Sequence, residues 1–318
     1  MEAQVNSLFE SALITAVIAS TIRGTTPILL AALGESYVER SGLLNLGIEG
    51  MMVAGAFSAF AVALKLNSLF YGLLAAAAVG LTLGLVFGIL AISLRVNQIV
   101  VGLGLTIFAH SMSSFLHRVI FGNQFPILFG AGGTNEIPLL AGIPFIGQAL
   151  FNQHWLVYLT FLMVPVLYVT MYKTRFGLRV RAVGETPGAA DTAGVSVYRI
   201  RYYSILFGGL MAGFGGAFMA LGDLAFFVPD MIMGRGYIAI VVVMLGKWHP
   251  VKVCCGGLLF GFALALTSAL QVAGIKISPD LILMMPYLTV LVALLIFARS
   301  TNLPSSLCTP YKRGGSGD

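Results

Sequence analysis

Charge is scarce in this chain: Asp, Glu, Lys and Arg make up 9% of 318 residues, against about a quarter of a soluble globular domain. Hydrophobic residues make up 58%. That balance excludes a soluble fold and points to an integral membrane protein. Cysteine is scarce as well, and Cys254, Cys255 and Cys308 form neither a disulfide framework nor a paired metal motif. The histidines, His110, His117, His154 and His249, are scattered without ligand spacing, so no metal site is expected. Phosphate-cradling GxxxxGK[ST], HExxH and GxSxG patterns are all missing, which argues against a nucleotide site, a cofactor or hydrolytic chemistry. If the chain moves a solute against a gradient, the energy must come from another protein. A basic leader is missing too: Glu2 and Glu10 stand where a signal peptide would be positive.

What is present is a series of apolar windows. At about 20 residues, the length that crosses a ~30 Å hydrocarbon layer, they fall near residues 11–33, 43–64, 69–94, 97–119, 154–172, 203–225, 251–272 and 280–298, with a shorter ninth at 236–248. They are apolar throughout rather than alternating, which excludes barrel strands. The expected fold is all-α: a polytopic membrane helix bundle of about 8 to 10 spans with broken or re-entrant helices. Small residues recur every four positions at Gly80/Gly84/Gly88, Gly208/Ala212/Gly216 and Gly257/Gly261/Ala265. Such ridges let helix backbones approach closely in lipid.

The net charge of +6 reports topology rather than nucleic-acid binding. Residues 173–201 carry Lys173, Arg175, Arg179, Arg181, Arg199 and Arg201 against Glu185 and Asp191, whereas 121–153 carry no lysine or arginine. Positive charge marks the cytoplasmic side, so the first loop is expected inside and the second outside. Arg299, Lys312 and Arg313 place the C-terminus inside as well, provided that the segment near 240 crosses. At the N-terminus, Arg23, Gly24 and Pro27 leave two options, one kinked span or a shallow helix followed by a span.

Within the basic loop stands GETPGAADTAG, residues 184–194. Thr186 offers an N-cap hydroxyl, Pro187 suits the first helical position and Gly194 a left-handed end. The two-turn helix between them has a small apolar face, Ala189, Ala190 and Ala193, too small to hold such a short helix alone in water. A partner is expected to complete its packing. Two further stretches interrupt apolar windows. In ERSGLLNLGIEGMMVAGAF, residues 39–57, Glu39 and Arg40 suit the cytoplasmic boundary. Asn45 and Glu49 lie four apart, on one face if helical, beside Gly47 and Gly50. In LGDLAFFVPDMIMGRGYIAI, residues 221–240, Pro229, Gly234 and Gly236 break the run next to Asp223, Asp230 and Arg235. Paired interruptions of this kind point to a transport pathway, for which Asn45, Glu49, Asn97, Phe226 and Phe227 are the candidate lining residues.

Taken together, RFGLRVRAVGETPGAADTAGVSVYRIR (175–201), ERSGLLNLGIEGMMVAGAF and LRVNQIVVGLGL (94–105) resemble the permease subunits of ABC importers in the branched-chain amino acid and ribose group. The likeness is greatest to permeases of nucleoside and simple-sugar importers that work with a basic-membrane-protein-type binding lipoprotein. It runs from about residue 20 to 300 and is more specific for the family than for the solute. It implies that the short helix docks on a cytoplasmic ABC ATPase, with Gly184, Glu185, Thr186, Ala189, Ala190 and Gly194 in the coupling pattern. The family more often has Asn or Asp at the position of Thr186, and Pro187 with Gly188 is a small variation on its pattern. The resemblance further implies alternating access, a second permease subunit of a different sequence, an extracellular or periplasmic binding lipoprotein, and location in the cytoplasmic membrane. Residues 1–300 would then form one permease domain with its coupling loop at about 173–202, followed by a cytoplasmic tail at 301–318.

Nucleosides lead as the solute, and ribose- or galactose-like sugars follow. Two other classes compete. An ion-coupled secondary transporter would use Glu49 and Asp223 as buried carriers, and an intramembrane enzyme would need Ser111 and His117 to act together without any supporting motif.

Overall fold

The computed structural model describes residues 2–128, 132–136, 146–272, 278–297 and 303–313. In chain order the helices are α1 (Glu2–Arg40), α2 (Ile48–Leu66), α3 (Leu69–Gly88), α4 (Gln98–Phe121), α5 (Ile146–Phe151), α6 (Trp155–Lys173), α7 (Arg175–Glu185), α8 (Pro187–Thr192), α9 (Val197–Ala217), α10 (Arg235–Leu245), α11 (Pro250–Val272) and α12 (Pro279–Phe297). Wide π-helical turns extend α3 through Ile89–Ser93 and α9 through Phe218–Asp223. Two two-residue strands, Asn135–Glu136 and Asn152–Gln153, pair antiparallel.

Among the described residues, seven helices are long and apolar enough to cross a membrane: α1 from Leu13, α2, α3, α4, α6, α9 and α11. The windows predicted from sequence fall on these seven and on α12, and the ninth falls on α10. The protein is a multi-pass, all-α membrane bundle. α10 has 11 residues, about 16 Å of helix, enough for half the hydrocarbon layer. It is a half-helix, too short to cross that layer alone.

Arg23, Gly24 and Pro27 all lie inside one continuous helix, α1, so the shallow-helix option falls away. Around the proline, the hydroxyls of Thr21, Thr25 and Thr26 bond the carbonyls four residues back at 2.7, 2.7 and 2.8 Å. Back-bonding of this kind satisfies the hydroxyl donors where lipid offers no acceptor.

α2 and α9 form the centre: 72% and 78% of their spanning windows are buried, against 33–39% for the other five. The small-residue ridges lie at the contacts. Gly80 faces Gly209 and Gly213, Gly216 faces Met52, Gly208 faces Val38, and Gly261 faces Thr21 and Thr25. A β-carbon on Gly213 would lie 2.5 Å from the Ala76 carbonyl oxygen, and one on Gly55 would lie 2.6 Å from that of Gly213. The α2, α3 and α9 backbones therefore touch, and dispersion across that contact replaces the apolar burial that lipid cannot drive.

All the helix ends next to the basic loop gather at one end of the bundle, the basic end. α1 finishes there at Arg40, which pairs with Glu185 at 3.1 Å. α10 finishes there too, where Lys247 and Trp248 both take left-handed backbone and the buried Trp248 indole donates to Glu39 at 2.6 Å.

Replacing Gly213 by Val is expected to destabilise the folded protein in detergent by about 1–3 kcal/mol through overpacking. Gly104→Ala, where an added β-carbon meets nothing within 4 Å, is expected to leave the melting temperature unchanged. Thermal unfolding of the two purified variants checks the contrast.

Candidate functional site: a short surface helix and a broken membrane helix

α7 and α8 cross the basic end. Thr174 caps α7, its hydroxyl accepting from Gly177 N at 3.3 Å, and Arg181 lies over the Tyr172 ring at 5.0 Å. Thr186 joins α7 to α8: its N–H donates to Ala182 O and its carbonyl accepts from Ala190 N, both at 3.0 Å. It holds the N-cap position, but its hydroxyl makes no capping bond, contrary to the sequence expectation. Pro187 fills the first helical position, where no amide donor is needed. Gly194 takes the left-handed end as expected, with φ +81°, and Val195 N closes on Ala190 O at 2.9 Å.

α8 turns one side inward and the other out. Ala190 is buried, while Gly188, Ala189, Thr192 and Ala193 are exposed. Gly184 is needed for close approach, since a β-carbon there would overlap the Arg40 carbonyl. The carboxylate of Glu185 pairs with Arg40 through one oxygen and accepts from Ser305 N and Oγ at 3.3 and 3.1 Å through the other. The six coupling candidates therefore form one structural unit, with Gly184, Glu185 and Ala190 facing the protein and Ala189 facing solvent.

A second centre forms where two interrupted segments meet inside the bundle. The loop from Ser41 to Gly47 turns back between α1 and α4: Asn45 N donates to Glu35 at 3.0 Å, Leu44 N donates to Gln98 at 2.8 Å, and the Thr106 hydroxyl donates to Leu46 O at 3.1 Å. Asn45 Oδ1 accepts from Gly47 N at 3.0 Å. Asn45 precedes the helix rather than sharing a helical face with Glu49, which corrects the four-residue spacing argument. Glu49, in the first turn of α2, reaches across to α10. One carboxylate oxygen accepts from Gly234 N at 2.8 Å and the other from Gly236 N at 2.7 Å. A carboxylate at a helix N-terminus satisfies amides that have no partner within the helix and complements its dipole.

The remaining pathway candidates lie apart. Phe227 is buried, with ring centroids 5.3 Å from Phe57 and 5.6 Å from His117, and Phe226 is half-buried. Asn97 caps α4 at the basic end, accepting from Ile99 N and Val100 N at 2.9 and 3.3 Å. Glu39 is fully buried at the basic end, where it accepts from the Trp248 indole. Glu35, which holds the re-entrant loop, sits inside a long helix where no local pattern singles it out.

A cavity of about 380 Å³ opens beside the broken helix, with Ser20, Arg23, Asp223, Arg235, Gln271 and Tyr287 among its lining residues and Phe260 and Leu264 supplying apolar wall. Arg235 begins the half-helix, and Arg23 lies 17 residues before Arg40, about 26 Å along α1 from the basic end. The cavity thus extends from the middle of the bundle toward the opposite end. Asp223 and Arg235 were visible in the sequence as charges near a break, and Arg23 as an interruption. What sequence could not supply was their convergence from three helices.

Residues 17–297 match the family described as branched-chain amino acid transport system permease components. The chain belongs to this permease family. It is 33% identical to a guanosine ABC transporter permease of Bacillus subtilis over 95% of this chain and 98% of the relative. It is 34% identical to a nucleoside ABC transporter permease of Lactococcus lactis over 91% and 94%. A Haloferax volcanii protein named provisionally as a glucose ABC transporter permease is 34% identical over 92% and 96%. In each of these three organisms a second permease also matches, at 27–30% identity and over 68–73% of its own length. No solved structure matches the chain.

Glu49→Ala is expected to strand the Gly234 and Gly236 amides at about 1–3 kcal/mol each, and Glu49→Gln, which keeps one acceptor, is expected to cost less. The order of the melting temperatures, wild type above Gln above Ala, checks the capping role.

Proposed function

We propose that this chain is the permease subunit of an ATP-driven ABC importer that carries nucleosides through the cytoplasmic membrane, with its basic end and C-terminal tail in the cytoplasm. The observation that carries the reading is α8. A six-residue helix is far too short to persist alone, yet it is anchored by Glu185 and Ala190 and leaves Gly188, Ala189, Thr192 and Ala193 uncovered. A face of small residues on the positively charged side accepts a groove of a cytoplasmic ATPase. Family membership supports that partner and a substrate-binding protein on the other side. The pairing of a nearer and a more distant permease in three organisms supports a second permease of different sequence.

The solute reading rests on the relatives' printed names and on the cavity. Its volume suits a small ligand, and one wall offers carboxylate, guanidinium and amide groups while another is apolar. A nucleoside presents a hydroxylated sugar to the first and a planar base to the second. A hexose is the second reading, favoured by the Haloferax relative. Of the pathway candidates, Asn45 and Glu49 act as framework, and Asp223, Arg235 and Arg23 replace Phe227 as the groups that meet solute. Of the two carboxylates an ion-coupled mechanism would use, both oxygens of Glu49 are already held by amides, and Asp223 shares the cavity lining with Arg23 and Arg235.

Alternating access then requires ATP binding to favour one bundle arrangement over another. Moving such an equilibrium from 1:99 to 99:1 takes about 5.5 kcal/mol, which enters through α8.

Uptake of radiolabelled guanosine, uridine and ribose into cells lacking this gene, or lacking the ATPase, tests the reading. Loss of nucleoside uptake in both strains is expected, whereas uptake that needs this gene but not the ATPase overturns it. Ala189→Asp, which adds charge to the exposed face without touching the core, is expected to lower uptake at least about tenfold, the equivalent of about 1.4 kcal/mol, at an unchanged amount of protein in the membrane. Asp223→Asn is expected to raise the nucleoside KM while ATP hydrolysis continues.

A further inference from the structure

Residues 303–313 run back across the basic end and touch every element around α8. Ser306 is buried, and both its N–H and its Oγ donate to the Gly184 carbonyl, at 3.0 and 2.7 Å. Ser305 completes the shell of Glu185, whose other oxygen holds Arg40 of α1. Arg201, 2% exposed in the first turns of α9, donates through Nη1 to Thr309 O at 3.1 Å and through Nε to Ser41 O at 3.2 Å. Tyr198 donates to Tyr311 O at 3.2 Å, and Arg313 pairs with Asp191 of α8 at 3.1 Å.

We infer that this C-terminal segment is a strap that fixes the angle of α8 relative to α1 and α9, so that a push on α8 moves the membrane helices instead of bending its own joints. The inference rests on the coupling role proposed for α8. Both joints are weak by themselves. Thr186 is non-helical, at φ −139° and ψ 79°, and Gly194 is a left-handed glycine. The strap ties the first joint to α1 through Gly184 and Glu185 and ties its own chain to α9 through Arg201. It leaves Gly188, Ala189, Thr192 and Ala193 uncovered, so it braces the docking face and does not cap it.

The contacts differ in weight. Arg313 is 78% exposed, and a pair open to water contributes little. Ser306 and Arg201 are buried, and the groups they serve have no water to replace them. Cys308, on the strap between them, has its thiol pushed up by burial and by the charge of Glu39, which keeps it protonated and out of thiolate chemistry.

The test uses the complete importer in proteoliposomes and reads solute moved per ATP hydrolysed, a ratio that a change in the amount of folded protein does not alter. Ser306→Pro removes both donors to Gly184, and a chain ending at Asn302 removes the strap. Both are expected to co-purify with the ATPase at the wild-type ratio and to hydrolyse ATP, with solute per ATP reduced about tenfold, as expected for losing one or two buried hydrogen bonds. Arg313→Ala is expected to keep the wild-type ratio. Unchanged solute per ATP in Ser306→Pro and in the shortened chain overturns the strap while leaving the importer reading intact. Loss of ATPase co-purification in both variants also overturns it, by making the segment part of the docking surface. Wild-type transport that proceeds without ATP hydrolysis overturns the importer reading itself.

Discussion

The carboxylate of Glu49, spread over the amides of Gly234 and Gly236, is the interaction on which the interior of this bundle depends. Lipid supplies no hydrogen-bond donors or acceptors, so a helix that begins halfway through the membrane survives only if its first amides are satisfied by protein. Glu49 does this from α2, and the loop that positions Glu49 is itself held by Glu35, Gln98 and Thr106. Three helices thus support the start of a fourth, and the cavity opens beside it. Gly236 has little room in this construction: a β-carbon there would lie 2.7 Å from the Glu49 Cα.

Around that polar centre the bundle is held by close approach. Contacts of Gly55, Gly80, Gly209 and Gly213 bring α2, α3 and α9 together backbone to backbone, giving a rigid unit that continues to the basic end through Arg201. Arg201 joins Ser41, at the end of α1, to Thr309 on the C-terminal segment. The rigid core and the surface helix are therefore connected through buried hydrogen bonds rather than through flexible loops. An importer driven from outside the membrane requires such a connection, because a compliant link would dissipate the differential binding energy of ATP before it reached the cavity.

Much of the fold was legible because the relevant physics is local. Hydropathy located the spans, glycine spacing located the helix contacts, and Pro187 and Gly194 bounded α8. Two local readings departed from the structure, and one side chain is placed by partners distant in sequence. Thr186 reads as a capping hydroxyl, yet α7 ends on its amide and its hydroxyl makes no capping bond. Asn45 and Glu49 read as one helical face, yet the helix begins at Ile48. Phe227 reads as a candidate lining residue, and in the fold it packs against Phe57, Phe60 and His117.

The sequence by itself determined that this is a membrane bundle, which end carries the positive charge, where two crossings are interrupted, and that a short capped helix stands in the basic loop. Composition, period and charge bias are properties of contiguous residues, and they survive without coordinates. Tertiary structure alone decided which carboxylate is bound to backbone and which faces the cavity, which side of α8 is exposed, and that residues 303–313 return to Gly184 and Arg201. Most of those outcomes depend on pairs far apart in sequence, whose meeting is set by how whole helices pack and cannot be read from the spacing of either partner.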